Sequence, residues 1–217
     1  MFILVDKPQW CTSHDIVDKI KRLYREDKVG HGGTLDPMAT WLLVVAVGKD
    51  TKKLGELLWS TKTYITTIDF SVSTDTRDLD YRKEYTQRSV DHTSSMIEVS
   101  WISLPFPTVQ QFHDMMNSIM GTHDLPLTPF SAKKVAWKKL YTYAREGTPI
   151  FMDVPMTFLS FQILDVTFPQ LTMEIKVGSG TYIRSLGYRL GKQFGLWGTL
   201  TMLRRTKVGE LSVPLEK

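Results

Sequence analysis

The stretch Val29-Gly30-His31-Gly32-Gly33-Thr34-Leu35-Asp36-Pro37 places one carboxylate in a loop, after three glycines and before a proline. An apolar run at residues 42–47 follows and is typical of a buried strand. Glycine lets the backbone turn sharply and lets a ligand approach closely, while proline restricts the residue before it. We therefore predict a stiff loop that presents Asp36 at the mouth of a sheet. A plain turn capped by the aspartate is the alternative that the stretch alone leaves open.

Composition indicates a globular protein with a basic surface. The chain has 217 residues, enough for one large domain or two small ones. Its formal net charge is +4 and its sequence pI is about 9.0, which suits a polyanionic partner without requiring one. Cys11 is the single cysteine, so an intrachain disulfide is excluded and a reducing compartment is favoured. No apolar run reaches spanning length, so we expect no membrane association and a cytoplasmic location.

Hydrophobic periodicity predicts both strands and helices along the chain. The predicted strands cover residues 2–5, 42–47, 62–70, 83–88, 158–168, 171–177 and 206–211. The predicted helices cover residues 14–25, 51–58, 108–120, 199–204 and a segment that opens at 178–184 and runs to about 194. Because no repeat or linker divides the chain, we predict one domain over residues 1–217, of the α+β (mixed α/β) class.

Residues 131–145 interleave basic and aromatic side chains. In chain order these are Lys133, Lys134, Trp137, Lys138, Lys139, Tyr141, Tyr143 and Arg145. Such a mixture suits contacts to phosphates and stacking on bases. The prolines at 126 and 129 predict a break in regular structure just before it. We therefore expect an inserted, RNA-contacting segment at about residues 121–150.

Asp36 is the main candidate for chemistry. The five histidines are scattered and there is no second cysteine, so no metal cluster is predicted. A carboxylate is ionised at pH 7 and can act as a covalent nucleophile or as a general base. If the target is a base in folded RNA, the base must leave its stack and rest on an aromatic ring. Tyr64 and Tyr182 are candidates for that ring, and Arg184 could pair with a phosphate or with Asp36.

A set of short motifs occurs in a fixed order along nearly the whole chain. The motifs are Asp6-Lys7-Pro8 with Thr12-Ser13, Gly30-His31-Gly32-Gly33-Thr34-Leu35-Asp36-Pro37 with Ala39-Thr40, Lys62-Thr63-Tyr64, Thr74-Asp75-Thr76-Arg77-Asp78, Ser131-Ala132-Lys133-Lys134, Leu140-Tyr141 with Ala144-Arg145, Gly180-Thr181-Tyr182-Ile183-Arg184 and Leu203-Arg204-Arg205. Each is weak alone, but the ordered set is highly specific. It resembles the TruB family of tRNA pseudouridine-55 synthases.

The resemblance implies a fold and a reaction. The fold is the pseudouridine synthase fold, a curved mixed β-sheet with flanking helices and a central catalytic cleft. In the reaction, a uridine of the tRNA T-loop is flipped out, its glycosidic bond is broken, and the uracil is rejoined to the ribose through C5. Two routes stay open: attack on the sugar, or removal of a ribose proton to form a glycal.

The resemblance also implies roles for individual residues. Asp36 is the expected catalytic aspartate, Tyr64 the stacking ring, and Tyr182 the base or proton carrier near C5. Arg184 is expected to form an ion pair with Asp36, and His31 to stack in the remodelled T-loop. The remaining expected substrate-binding positions line the cleft or belong to the basic segment; they are Lys7, Asp78, Lys133 and Leu203.

The same resemblance implies how the enzyme is assembled. No metal or organic cofactor is expected, because the uracil is both the leaving group and the returning nucleophile. The expected partner is the T-loop and T-stem of tRNA, and the expected state is a monomer without a C-terminal RNA-binding domain. The alternatives are a tRNA-binding folding chaperone independent of catalysis, a generic basic RNA-binding domain, and a synthase acting on ribosomal or guided sites.

Tryptophan stands at positions where this family usually has glycine. Those positions are Trp10, Trp41, Trp59, Trp137 and Trp197; Trp101 has no clear glycine counterpart. Drift does not repeatedly replace the smallest residue by the largest at turns, where a positive φ favours glycine. One hypothesis is that the gene uses UGA for glycine and that the codon has been translated as tryptophan. The other is genuine substitution with local compensation.

Overall fold

The computed structural model describes residues 1–79, 98–99 and 106–212. Its strands are β1 (Phe2–Lys7), β2 (Val29–His31), β3 (Thr40–Val47), β4 (Lys62–Asp69), β5 (Val72–Ser73), β6 (Glu98–Val99), β7 (Gly121–Leu127), β8 (Lys134–Val135), β9 (Lys138–Lys139), β10 (Met152–Thr167), β11 (Gln170–Val177), β12 (Thr199–Val208) and β13 (Leu211–Ser212). The α-helices are α1 (Ser13–Tyr24), α2 (Leu54–Trp59), α3 (Val109–Ser118), α4 (Leu140–Arg145) and α5 (Ile183–Phe194), and a 3-10 helix covers Gly48–Lys53.

One mixed sheet organises the chain. Its strand order is β1-β3-β12-β4-β11-β10-β7, with β2 added to β3 and β13 to β12. Every neighbouring pair is antiparallel except β3 and β12, which run parallel. The late strand β12 therefore separates β3 from β4, so the middle of the sheet joins segments that are far apart in sequence.

Strand β3 is buried on both faces, as its continuous apolar sequence predicts. Leu43 and Val45 belong to the main core, in which helices α1, α3 and α5 pack against the sheet. Leu42 and Val44 point to the opposite face, because successive side chains of a strand alternate, and they join a smaller cluster with Leu57 of α2. A strand covered on both faces makes a rigid base for the loop that precedes it.

Capping side chains fix where two of the helices begin. Thr12 accepts a hydrogen bond from the Asp15 N–H, and the Asp15 carboxylate accepts one from the Thr12 N–H. Thr108 and Gln111 form the same reciprocal pair before α3. This capping box satisfies helix N–H groups that have no intrahelical partner. Both predicted helix starts are confirmed to within one or two residues.

The helix predicted over residues 199–204 is wrong, because these residues are the first part of strand β12. The pattern misleads because register shifts after Leu200 and after Arg205 interrupt the strand's alternation. The break predicted over residues 126–129 is present but begins later, because β7 ends at Leu127 and residues 128–133 form no helix or strand. Pro126 lies within β7 and is tolerated there because β7 is the outer strand of the sheet.

Other predicted elements agree with the structure, and some fall outside its described part. The strands predicted over 62–70, 158–168 and 171–177 correspond to β4, β10 and β11. The strand predicted over 83–88 lies outside the described residues, as does Trp101. Among the helices of the described residues, none is long and apolar enough to cross a membrane.

Three tryptophans have a left-handed backbone. The φ angles are 67° at Trp10, 73° at Trp41 and 68° at Trp137. Positive φ is uncommon for residues other than glycine and is a clear outlier for bulky ones. At Trp137 the preceding Ala136 is also left-handed, with φ of 47°, which is the backbone of a type I′ hairpin turn between β8 and β9.

Candidate active site

A cleft of about 370 Å³ opens over the middle strands of the sheet. Asp36, Tyr64, Tyr182 and Leu203 all line it, together with the Gly178–Thr181 turn. These four side chains come from the glycine loop, β4, the start of α5 and β12, which are distant in sequence. The structure thus brings together in one cavity four of the residues that the sequence nominates for the site.

The loop that carries Asp36 is held from within and from α1. The Ala39 N–H donates to the Asp36 carbonyl at 3.0 Å, which closes a tight turn over Pro37. The Leu35 N–H donates to the Ser13 hydroxyl at 2.9 Å, where α1 begins. These hydrogen bonds are what a stiff loop requires, and Asp36 lies at the cleft over the sheet as predicted.

Lys7 holds the same loop from the end of β1. Its side chain is fully buried, and its Nζ donates to the carbonyls of Pro8, Cys11 and Pro37 at 2.8–3.1 Å. The Trp10 N–H donates to the Pro37 carbonyl as well, at 2.9 Å. Lys7 therefore supports the loop and does not line the cleft, where the resemblance places it.

Arg184 forms the ion pair with Asp36 that the resemblance implies. Its Nη2 lies 2.9 Å from the Asp36 carboxylate, and its Nε lies 3.6 Å from the carboxylate of Asp78. The same guanidinium donates to the carbonyls of Thr76 and Phe130 at 3.0 and 3.2 Å. Asp78 is buried and is not among the residues that line the cleft, where the resemblance places it; it shares the guanidinium of Arg184 with Asp36.

Charge partners keep Arg184 ionised despite its burial. Burial alone lowers the pKa of this guanidinium, but Asp36 and then Asp78 raise it, and the net change is upward. The Asp36 carboxylate remains partly open to the cleft, with 29% of its side chain exposed. One oxygen of Asp36 is bound by the arginine while the group still faces the cavity.

Tyr182 presents a neutral phenol to the cleft. Burial raises its pKa, Asp36 raises it further, and the Arg184 cation opposes both. The hydroxyl therefore stays protonated at neutral pH. Of the two roles predicted for Tyr182, this protonation state suits a proton carrier directly, whereas action as a base requires that the proton first leave.

Tyr64 and Leu203 form the apolar floor of the cleft. Tyr64 is 9% exposed on β4, and Leu203 is 5% exposed on the adjacent β12. An aromatic face beside a leucine can receive a flat base, because stacking and apolar burial need no sequence-specific hydrogen bond. Both side chains line the cleft, as the resemblance implies.

His31 lies on β2, outside the residues that line the cleft. Burial lowers its pKa, and the nearby cations Arg205 and Lys139 lower it further. The imidazole is therefore uncharged at neutral pH, which suits stacking better than phosphate pairing. Lys139 belongs to β9, so the small hairpin of residues 131–145 reaches toward this histidine.

The hairpin of residues 131–145 begins at the edge of the cleft. Ala132 lines the cavity, and the half-buried Lys133 uses its carbonyl to accept from the Leu140 N–H at 2.8 Å. Farther out, Lys138 lies 4.7 Å from the centre of the Tyr143 ring, and Lys139 lies 5.3 Å from that of Tyr141. The basic and aromatic residues do meet, and they cover one another's faces.

Sequence reasoning missed two buried cations of the cleft wall. Lys62 donates to the carbonyls of Leu57, Leu58 and Ser60 at 2.6–3.1 Å, and burial together with Arg205 lowers its pKa to about 8. Arg205 is 1% exposed. Both residues stand within quoted motifs, but only their place in the fold shows that they are buried at the cleft that Asp36 also lines. Within the described ranges, no three His, Cys, Asp or Glu side chains are grouped as metal ligands.

Comparisons with known proteins find a matching family model and similar proteins that cover nearly the whole chain. A family model described as TruB family pseudouridylate synthase (N terminal domain) matches residues 21–183. The tRNA pseudouridine synthase B of Caldicellulosiruptor saccharolyticus is 35% identical over 212 residues, which cover 97% of this chain and 68% of that protein. That of Corynebacterium diphtheriae is 37% identical over 224 residues, covering 99% and 71%.

Solved structures show the same fold. A chain of a Cbf5-Nop10-Gar1 complex superposes with a TM-score of 0.70 at 22% identity, covering 98% of this chain and 50% of that one. A chain of an H/ACA RNP bound to a substrate RNA containing 2'-deoxyuridine gives a TM-score of 0.67, also at 22% identity. The predicted α+β fold with a mixed sheet and flanking helices is confirmed.

Proposed function

Because the chain belongs to the TruB family of pseudouridylate synthases, we propose that its cleft acts on the uridine at position 55 of the tRNA T-loop, with Asp36 as the catalytic aspartate. The protein is an isomerase that converts uridine in tRNA to pseudouridine. One observation carries the assignment of Asp36. Its carboxylate is paired with buried Arg184 at 2.9 Å and faces a cavity that Tyr64 and Tyr182 also line.

The reaction needs a carboxylate that is ionised and fixed. In one route a carboxylate oxygen bonds to C1′ of the ribose as the bond from C1′ to N1 breaks, and the uracil leaves with the electron pair. In the other route the carboxylate takes the C2′ proton while that bond breaks, which leaves a glycal. Arg184 serves either route by holding Asp36 as an anion in one orientation.

The remaining residues handle the uracil. Tyr64 supplies a face on which the detached ring can turn while staying in the cavity. In the first route C5 bonds to C1′ as the bond from C1′ to the Asp36 oxygen breaks, and in the second Asp36 returns the proton to C2′ as C5 bonds to C1′. The proton on C5 must then leave, and the Tyr182 hydroxyl can relay it toward N1, which gains one proton in the product. Leu203 closes the apolar side, so that water is excluded from the reactive centre.

Outside the cleft, we propose that the hairpin of residues 131–145 and His31 contact the T-arm. Supporting this, the Lys139 cation of the hairpin contributes to lowering the pKa of His31, so the two features share one electrostatic environment. We expect the chain to act in the cytoplasm, where tRNA is found, and to bind tRNA as a monomer. Sedimentation of the complex would measure that stoichiometry.

The test compares wild type with Asp36→Asn on a T-arm stem–loop and on whole tRNA. The amide keeps the size of the side chain but can neither attack a sugar carbon nor accept its proton. We expect wild type to release the C5 hydrogen isotope from labelled uridine, and Asp36→Asn to bind RNA with similar affinity and release none. Binding by both proteins with product from neither would favour the chaperone, and equal product from both would remove Asp36 from the chemistry.

A further inference from the structure

We propose that Arg205 is a positioning residue that sets the geometry of the Asp36 loop; this rests on the catalytic role proposed for Asp36. Arg205 Nε donates to the Leu42 carbonyl at 3.0 Å, and its Nη2 donates to the Gly33 carbonyl at 3.1 Å. Gly33 precedes Asp36 by three residues and Leu42 follows it by six. One planar guanidinium therefore joins the two ends of the loop from beneath.

The charge of Arg205 makes a purely structural role costly. It is 1% exposed, yet no carboxylate of the described residues lies within 4.0 Å of it. Arg184, by contrast, has two carboxylates beside it. A buried cation without an anion is unfavourable, and an apolar side chain of similar volume would fill the space at lower cost. What an apolar side chain lacks is the pair of directed hydrogen bonds.

The loop is also shaped to meet this side chain. Gly33 has a φ of 127°, and a Cβ at this position would lie 3.4 Å from Arg205 Nη1. The loop therefore passes directly against the guanidinium. Because a displacement of about 1 Å at a reacting group can cost about 10²-fold in rate, loss of this contact should reduce turnover and leave RNA affinity unchanged.

The experiment uses Arg205→Met, Arg205→Lys and the charge control Lys207→Met, which changes an exposed residue of the same strand. For Arg205→Met we expect the single-turnover rate to fall about 10–100-fold with tRNA affinity within about twofold of the control. Arg205→Lys should keep the charge and restore part of the rate, and added guanidinium should rescue Arg205→Met partially.

Each outcome bears on the proposal. An unchanged rate in folded Arg205→Met, or a loss confined to affinity, overturns it. If Arg205→Met does not fold, the rate of Arg205→Lys decides, and a rate equal to wild type then counts against positioning. These results come from Arg205 variants and do not use Asp36→Asn. The proposed function has a separate test, because it fails if the wild-type protein makes no pseudouridine.

A second inference follows from the backbone and does not depend on the function: the geometry points to glycine at positions 10, 41 and 137 in the protein made by the cell. Of the six non-glycine residues with positive φ in the described chain, three are tryptophan. Tryptophan makes up only six of the 217 residues. Chance would not place half of these outliers on so rare a residue.

The Trp137 ring gains little that could offset this backbone. Trp137 is 95% exposed, and its left-handed turn is the type that favours glycine at the second position. Trp41 is buried, and although Arg204 lies 3.4 Å from its ring centre, its indole Nε1 has no hydrogen-bond partner within the described residues. All three positions have a backbone conformation that favours glycine, yet they carry the largest side chain.

A codon reassignment explains all three positions at once. Tryptophan is normally encoded by UGG, and UGA differs from it by one base. If the cell reads UGA as glycine, translation of the same codon as tryptophan yields the printed sequence. The reassignment extends by the same logic to Trp59 and Trp197, whose φ angles are not left-handed.

Two measurements test this inference. UGA codons at positions 10, 41 and 137, and native peptides with the mass of glycine there, are expected; UGG codons or tryptophan masses overturn it. Separately, Trp137→Gly should raise Tm by roughly 3 °C or more, because the left-handed penalty disappears and the 95% exposed ring gives up no core packing. Trp59→Gly changes another exposed tryptophan without a left-handed backbone and is the control without that gain, and a lower Tm for Trp137→Gly contradicts the backbone argument.

Discussion

The Asp36 loop and the hairpin of residues 131–145 both border the cleft, yet they hold their charges in opposite ways. Arg184, which pairs with Asp36, is 4% exposed and is bound by groups from three segments. In the hairpin, the Lys138 side chain is 37% exposed, and the ammonium groups of Lys138 and Lys139 lie over the hairpin's own tyrosines. The difference separates two tasks: bond breaking needs fixed charges, whereas holding RNA needs solvated cations that adapt.

The largest effect expected from this contrast is that of Arg184→Met. Without the cation, Asp36 and Asp78 face each other uncompensated. We expect turnover to fall about 10³-fold or more, and the free energy of unfolding to fall by about 3–5 kcal/mol, as when one partner of a buried pair is removed. Single-turnover kinetics and urea unfolding measure the two. Arg189→Met, on the same helix, is the control, and a turnover loss below tenfold would break the comparison.

Tyr182→Phe tests whether a tyrosine hydroxyl takes part in the chemistry in the cleft but not in the hairpin. Removing the hydroxyl should lower kcat about 10²–10³-fold with RNA affinity unchanged. Because burial raises the pKa of Tyr182, the wild-type rate should not fall on the alkaline side before about pH 10 through loss of this proton. The matched change in the hairpin, Tyr143→Phe, should leave kcat unaltered; equal losses in both variants would mean that hydroxyl chemistry is not confined to the cleft.

Substitutions in the hairpin should change the affinity for tRNA. Lys134 and Lys139 are exposed, and changing both to Gln should weaken tRNA binding about tenfold at moderate salt, while the log–log salt slope falls by about 0.7–0.9 per lost phosphate contact. The rate at saturating tRNA should stay the same. Lys49→Gln with Lys52→Gln removes equal charge from the exposed 3-10 helix. A similar loss there would indicate general attraction and no specific role for the hairpin.

The smallest effect is the pH response of His31, which borders both regions. Its pKa in the folded protein is lowered, chiefly by burial. As the pH falls through about 6.5, the unfolded chain takes up the proton first, so the free energy of unfolding decreases until the folded pKa is passed. His31→Gln should remove this part of the acid dependence, which we expect to be about 1 kcal/mol or less because solvent screens a partly exposed ring. Urea unfolding between pH 5 and 8 measures it, and an identical pH profile for the variant would contradict this assignment.

Much of the site could be predicted from sequence because its residues sit in short local motifs. Glycine and proline around Asp36 encode a stiff turn within one short stretch, and the apolar run at 42–47 encodes its rigid base. The pairing of Arg184 with Asp36 spans 148 residues, and only the resemblance to a known family supplies it.

What could not be predicted depends on the sheet. The residues of β12 predict a helix at its start, because register shifts hide the alternation of its side chains. The burial of Arg205 cannot be inferred without that strand, since only a central strand places residue 205 beneath the Asp36 loop. The resemblance places Lys7 in the cleft, but its ammonium donates to three backbone carbonyls instead. No local sequence pattern predicts that orientation.

The position of β12 between β3 and β4 also has a consequence for how the chain folds. During synthesis β3 and β4 exist as two unpaired edges for more than a hundred residues, until the strand between them is made. Such a topology has high contact order, so folding is expected to be slow, and the exposed edges invite aggregation before it completes. Because Arg205 lies on that strand, we expect the Asp36 loop to gain its contacts with this side chain only in the last steps of folding. Pulsed hydrogen exchange should find β3, β4 and β12 protected together.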